Sequence, residues 1–255
     1  MEFEWVKKLL MCLFLLALPA WSDPDVEFKA GNACMDQKNY KAALEKYQSA
    51  LKEAPGSPAI LFNAGLAAYL SAEYGDSIQL FQELKRLQPD DWRARAKLIQ
   101  AYQAAGKSAE CDRERDALLE LKKSAGQGEL KSQKTFVRDQ FVVGGRRVFA
   151  SEHFALEGER ALLYSFTISR PNSDELEKFR VSLGSYDATT RFMRESKQIG
   201  PEDRVYHLDY YAGGEHRTYR FYTRRPSYDE VRQSLSEILE GKLQPISSSK
   251  TGEAK

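Results

Sequence analysis

The sequence predicts two folded parts of different class: an array of helical hairpins, followed by an α+β domain with an antiparallel sheet and a C-terminal helix. Three observations support this prediction. Glycine, aromatic and proline residues recur with a period of 34 between residues 24 and 125. Runs of alternating apolar and polar residues, typical of half-buried strands, replace that pattern after residue 135. A short stretch that contains glycine and serine separates the two patterns.

The first 22 residues have the layout of a secretory signal peptide. Lys7 and Lys8 precede the apolar run Leu9–Ala20, and small residues stand at the −3 and −1 positions before Asp23. The run is shorter than the ~20 residues that a membrane-spanning helix needs. We therefore expect an exported protein, periplasmic or extracellular, that does not insert into a membrane after signal cleavage. An uncleaved N-terminal anchor is the alternative.

Composition excludes several functional classes. Lys+Arg 38 and Asp+Glu 37 leave a net charge of +1, so charge gives no reason to expect a nucleic acid or an anionic membrane as a partner. The chain has 3 cysteines and 3 histidines, too few for a multi-cysteine zinc cage and few for any metal site. We expect no cofactor and no bound metal.

The residues that recur at this period predict how the helices pack. The clearest matches at the period are Gly31 with Gly65, Tyr47 with Phe81, and Pro55 with Pro89. Glycine is expected where two antiparallel helices cross too closely for a side chain, and the large aromatic residues fill the space between repeats. Proline ends the second helix of each pair because it cannot continue a helix. The same period places Cys111 at a position that small residues occupy in the earlier repeats, so we expect it to be buried in the core.

The segments GNACMDQKNYKAALEKYQSALKEAP and NAGLAAYLSAEYGDSIQLFQELKRLQP resemble the tetratricopeptide repeat family. The resemblance implies an array over residues 23–125, with repeats at 24–57, 58–91 and 92–125. The third repeat is degenerate, because Ile99, Ser108 and Arg115 replace the glycine, the tyrosine and the aromatic residue. Such arrays form a concave face from the first helix of each pair, which implies a groove for a protein or peptide partner.

Helical spacing predicts which side chains line that groove: Phe28, Asn32, Met35, Phe62, Asn63, Leu66, Tyr69, Leu70, Arg93 and Lys97. Four of them, Asn32, Asn63, Arg93 and Lys97, are 31, 30 and 4 residues apart. The resemblance implies that such a set holds the carboxylate of a peptide C-terminus by charge-assisted hydrogen bonds. Phe28 stands where the family has a fifth, cationic residue. The alternative is that both asparagines are structural and both cations are ordinary surface residues.

The second half predicts a linker at 126–134, an α+β domain at 135–242 and a disordered tail at 243–255. Gly144-Gly145 is a hairpin signal, and Ser227-Tyr228-Asp229-Glu230 is a capping box that begins the last helix. The predicted strands cover 135–143, 146–156, 161–169, 179–183, 204–211 and 217–223, with a helix over 186–198. This half is matched to no named family.

No catalytic motif is present in the sequence. His207 and Asp209 share a predicted strand face and could be drawn with Ser185 as a hydrolase triad, and His153 on another strand is a further candidate. Such residues are more often hydrogen-bonding groups on a strand face. Tyrosines and arginines of the last hairpin could form an interaction face, although core positions are the more ordinary interpretation.

The sequence therefore predicts an exported, non-enzymatic adaptor or scaffold that binds a protein or peptide segment in its groove. Two alternatives stay open. The α+β domain could bind a ligand or be an enzyme, with the repeats as its docking arm; a deep polar pocket near the two histidines would favour this, and a filled core between sheet and helix would favour the adaptor. The groove could also bind a later segment of the same chain or a second copy.

Overall fold

The computed structural model describes residues 23–154, 160–172, 176–177, 179–201, 203–212 and 214–250. Contacts divide the chain into two compact units, the first ending at Ala101 and the second beginning at Tyr102. The predicted signal peptide lies outside the described residues. No helix among the described residues is long and apolar enough to cross a bilayer.

The first unit consists of antiparallel helical pairs, as the 34-residue period predicts. Proline in the first turn begins α1 and α3, and the Asp23 and Asn39 side chains accept hydrogen bonds from the backbone at the starts of α1 and α2. Its helices are α1 Pro24–Asp36, α2 Tyr40–Glu53, α3 Pro58–Leu70, α4 Tyr74–Leu87 and α5 Trp92–Ala104, the last of which crosses the division between the units.

Both repeat glycines lie under an aromatic ring from the second helix of the pair. A Cβ atom on Gly31 would stand 2.4 Å from Cε1 of Tyr47, and one on Gly65 would stand 2.8 Å from Cζ of Phe81. Tyr47 and Phe81 are both fully buried. The prediction that these crossings are too close for a side chain is confirmed.

The second unit begins within the predicted third repeat, not at the predicted linker. It includes α6, Ser108–Ser124, and a single turn, α7, Glu129–Ser132. The predicted linker is thus partly helical, and the Lys122 ammonium holds it by donating to the carbonyl oxygens of Leu130, Lys131 and Gln133 at 3.1, 2.8 and 2.6 Å. One cation therefore donates to three carbonyl oxygens at and just beyond the end of this turn, where the backbone has few internal donors.

Among the described residues, the predicted antiparallel sheet has eight strands, in the order β1-β2-β3-β5-β6-β7-β8 with β4 paired to β3. The strands are β1 Thr135–Val143, β2 Arg146–His153, β3 Arg160–Ser169, β4 Leu176–Glu177, β5 Phe179–Tyr186, β6 Tyr206–Ala212, β7 Glu215–Tyr222 and β8 Ser247–Lys250. The helix predicted over 186–198 is α8, Asp187–Glu195.

The strand β8 corrects one prediction. Residues from 243 onward were expected to be disordered, but Ser247–Lys250 pairs antiparallel with β7, and Ile246 N donates to Thr218 O at 2.8 Å. Serine has weak strand propensity, so composition argues against a strand here. The free edge of β7 supplies backbone partners instead, which side-chain patterning does not reveal.

The last helix, α9, Tyr228–Leu239, begins at the predicted capping box: Glu230 N donates to Ser227 Oγ, and Ser227 N donates to Glu230. Its apolar side packs against the sheet. The shared core is filled by buried residues, among them Val148, Tyr164, Phe166, Leu208, Val231 and Leu235.

Candidate functional site

The two asparagines of the predicted carboxylate site lie together. Asn63 Nδ2 donates to Asn32 Oδ1 at 3.2 Å, and the Tyr47 hydroxyl donates to the same oxygen at 2.7 Å. Asn32 comes from α1, Asn63 from α3 and Tyr47 from α2. Three helices therefore meet at one amide oxygen. Burial raises the pKa of Tyr47 to about 12, so its hydroxyl keeps its proton at neutral pH.

The predicted aromatic groove residues each contact a second ring. The rings of Phe28 and Tyr47 have centroids 5.8 Å apart. The same distance separates Phe62 from Phe81 and Tyr69 from Tyr74. Each predicted groove ring is half-buried and packs against an aromatic residue of a second helix. Such packing holds a ring in place at little entropic cost to binding.

Three aliphatic residues complete the predicted apolar surface. Met35 packs against the core of the first pair, and Leu66 is half-buried on α3. Leu70 is 39% exposed, at the end of α3. An apolar side chain that exposed is available to a partner.

The two predicted cations lie on α5, one turn apart. Arg93 is exposed, and its guanidinium carbon lies 5.9 Å from the centre of the Trp92 ring. Lys97 is half-buried, and its Nζ donates to Gln100 Oε1 at 3.4 Å. Burial lowers the pKa of Lys97, because the ammonium has lost part of its hydration. A carboxylate placed beside Lys97 would stabilise that charge.

Asn63 and Arg93 line the same cavity, whose volume is about 330 Å³. The sequence reasoning missed Gln88 and Asp91, which add polar atoms to its wall. The only signal for them was their position on either side of Pro89, in the connection between α4 and α5. The cavity is lined by Pro58, Ala59, Phe62, Asn63, Leu84, Gln88, Asp91 and Arg93.

The alternative site in the second unit shows ordinary strand-face contacts. His153 Nε2 lies 2.8 Å from Ser165 Oγ, and the ring of His207 meets that of Phe221 at 4.5 Å. Asp209 accepts a hydrogen bond from the Thr218 hydroxyl at 2.8 Å. The side chain of Ser185 lies outside the described residues. Sequence reasoning missed His216, whose Nε2 lies 3.2 Å from Asp209 Oδ1.

The tyrosines and arginines of the last hairpin mostly serve the core. Tyr206 and Tyr219 are buried, and Arg220 donates to Ser234 at 2.8 Å and to Glu237 at 3.0 Å on α9. Arg224 donates to Glu230. The more ordinary interpretation of this cluster, as core and helix support, fits these contacts.

The thiol of Cys111 lies in the protein core. Cys111 is fully buried, as predicted, and burial raises the pKa of its thiol to about 11, far from the range of a reactive thiolate. Within the described part of the chain, no group of three or more histidine, cysteine, aspartate or glutamate residues is arranged to hold a metal ion.

Comparison with known proteins identifies the repeats. Residues 35–98 match the family model described as tetratricopeptide repeat. No curated protein sequence matches the chain.

The solved structures that match cover less than half of this chain, at low sequence identity and low TM-score. The Sgt2 repeat domain from Aspergillus fumigatus is 21% identical, with 45% of this chain and 78% of that chain covered and a TM-score of 0.37. The first repeat domain of Spaghetti (RPAP3), bound to the HSP90 peptide SRMEEVD, is 19% identical, with 42% and 88% covered and a TM-score of 0.37. MamA from Desulfovibrio magneticus is 19% identical, with 40% and 57% covered and a TM-score of 0.38, so this chain spans little more than half of that protein.

Proposed function

We propose that this chain, whose residues 35–98 are tetratricopeptide repeats, is an exported, non-enzymatic adaptor that holds an extended peptide segment in the groove of its first unit. The observation that carries the proposal is the convergence of Asn32 and Asn63 at one hydrogen-bonded point, with Arg93 on the wall of the cavity that Asn63 also lines.

The partner that fits this groove has an apolar segment and a free C-terminal carboxylate. Supported rings such as Phe62 and the exposed Leu70 offer apolar contact. Amide donors and the cations Arg93 and Lys97 offer charge-assisted hydrogen bonds to a carboxylate. Because the partially desolvated Lys97 gains from a neighbouring negative charge, we expect a carboxylate to bind there more tightly than an amide.

Selection from a peptide library displayed with free C-termini tests the proposal. We expect the protein to enrich peptides with apolar residues near the C-terminus. The variant Arg93→Ala/Lys97→Ala should lose most of the enrichment. A matched variant, Lys41→Ala/Lys52→Ala, removes two exposed cations from α2 and should keep it. The proposal would be overturned if both variants enriched the peptides equally well, or if the unaltered protein enriched none.

Export is a separate part of the proposal and has its own test. Support comes from the sequence of residues 1–22 alone. Mass spectrometry of protein recovered outside the cytoplasm should find Asp23 as the first residue. A protein that keeps its first 22 residues, or that stays in the cytoplasm, would contradict signal cleavage and export without affecting the groove.

The second candidate, a catalytic or ligand-binding α+β domain, lacks an observation in its favour. The sheet and α9 share a filled core, the feature expected of an adaptor.

A further inference from the structure

Repeats one and two differ in the residue that follows the glycine and in the ring that covers the glycine. In the first, Gly31 is followed by Asn32, and the ring over the glycine is Tyr47. In the second, Gly65 is followed by Leu66, and the ring is Phe81. The two rings are packed alike, both fully buried. The hydroxyl is thus present in the repeat that has an asparagine to receive it, and absent in the repeat that has a leucine.

The hydroxyl is not required for packing. Phe81 fills the equivalent space with no polar atom, so Tyr47 could be phenylalanine at no cost in shape. Burying a hydroxyl is unfavourable unless it finds a partner. Its partner is Asn32 Oδ1, at 2.7 Å, and that oxygen also accepts from Asn63 Nδ2.

These two donors occupy the oxygen side of the Asn32 amide. With both bound to Oδ1, the Asn32 amide can turn over only if the Tyr47 hydroxyl becomes an acceptor and the Asn63 amide turns over as well. The Nδ2 group is then held on the opposite side, where it can act only as a donor.

We infer that Tyr47 is a positioning residue, which fixes Asn32 so that its Nδ2 donates to an acceptor oxygen of the bound peptide. This inference rests on the proposed function of the groove. It adds a residue from the second helix of a repeat, beneath the groove, to the recognition of the peptide. It also makes the Asn32 side chain a hydrogen-bond donor toward the peptide. Asn32 then binds a carbonyl or carboxylate oxygen of the peptide and not an N–H group.

The test uses a peptide selected from the free-C-terminus library and the variant Tyr47→Phe. We expect binding to weaken by up to about 10-fold, because an Asn32 amide that is no longer fixed can lose its neutral hydrogen bond to the peptide. Asn32→Leu should weaken binding at least as much, and the double variant should bind like Asn32→Leu alone. The control Tyr40→Phe removes a hydroxyl from the start of the same helix, α2, and should leave binding unchanged. Circular dichroism should find all four variants folded.

A ligand-free measurement separates positioning from general stability. In nuclear Overhauser spectra, the Asn32 side-chain NH₂ should show no close contact to the Tyr47 ring, because that group faces away from it. In Tyr47→Phe the same NH₂ resonances should shift and exchange faster with solvent.

Three results would overturn the inference. A strong contact between the Asn32 NH₂ and the Tyr47 ring would mean the opposite amide orientation. If Tyr47→Phe and the unaltered protein bound the peptide with equal affinity, the role of Tyr47 would be refuted. Peptide binding in the groove would be unaffected by that result. Failure of the library to yield any peptide would remove both proposals.

Discussion

The two units of the molecule are stabilised differently. In the first, buried positions are taken by small and apolar residues such as Ala43, Ala64 and Phe81. In the second, charged side chains enter the interior: Arg138 and Glu152 are each 2% exposed. Among the described residues, the buried charged side chains all belong to the second unit. The first unit therefore depends on close packing and the second also on matched charges.

Arg138 is the centre of the charged interior. Its Nη1 donates to Glu152 Oε2 at 2.8 Å, and its Nη2 donates to Asp112 Oδ1 at 2.9 Å. The guanidinium also lies 4.5 Å from the centre of the Tyr228 ring. A residue of β1 thus contacts β2, α6 and α9 at once, which is why α6 belongs with the sheet and not with the earlier helices.

The largest expected effect comes from breaking this set of charges. Arg138→Met leaves Glu152 buried without its main partner, and a broken buried ion pair costs about 3–5 kcal/mol. Urea denaturation followed by circular dichroism should find the second unit destabilised by this amount. The double variant Arg138→Met/Glu152→Leu replaces the pair with apolar residues and should recover most of the loss. A single variant as stable as the unaltered protein would mean that the pair contributes nothing.

Close packing in the first unit predicts the next largest effect. Gly31→Ala places a Cβ atom 2.4 Å from the Tyr47 ring, and overpacking of this kind costs about 1–3 kcal/mol. The control is Gly75→Ala, since Gly75 lies on α4 with nothing within 4 Å of the added atom. Alanine is a better helix former than glycine, so the control should gain about 0.5–1 kcal/mol. Thermal unfolding measures both, and a stabilising Gly31→Ala would contradict the packing account.

The smallest expected effect depends on pH. The Arg224 guanidinium, with help from the backbone N–H of Ser227, lowers the pKa of Glu230 to about 2. A carboxyl group with a lowered folded-state pKa contributes stability above its unfolded pKa, and that contribution is lost as the pH falls towards 2.

Glu230→Gln should therefore be less stable than the unaltered protein at pH 7, by no more than about 1 kcal/mol for such an exposed cap. The difference should shrink as the pH falls below about 4.3 and vanish near pH 2. Thermal unfolding at several pH values provides the comparison. A difference that stays constant with pH would mean that the Glu230 charge is not involved.

The contrast between the units also explains what the sequence could predict. Gly31, Tyr47 and their counterparts in the next repeat recur at a fixed spacing, so their roles follow from the pattern alone. The partners of Arg138 are 14 and 26 residues away, and Tyr228 donates to Asp139 across 89 residues. No periodicity links such residues, so the attachment of α6 to the sheet could not be foreseen.

At the candidate site, too, the sequence predicts some contacts and not others. The resemblance to the repeat family identified Asn32 and Asn63 as members of one set, and both stand on the first helices of successive repeats. The contribution of Tyr47 depends on where one hydroxyl lies relative to an amide oxygen, which sequence spacing does not specify. Likewise, Gln88 and Asp91 enter the cavity wall through the turn around Pro89, outside the helical pattern.

The central claim is that the groove holds a peptide by its terminal carboxylate, and calorimetry with one selected peptide tests it most directly. The free-acid form should bind about 10- to 100-fold more tightly than the amidated form, the effect of a charge-assisted hydrogen bond. In Arg93→Ala/Lys97→Ala this preference should disappear, with the free acid weakened to the level of the amide. Equal affinity of the unaltered protein for both forms, or an equal loss for both forms in the variant, would contradict the claim.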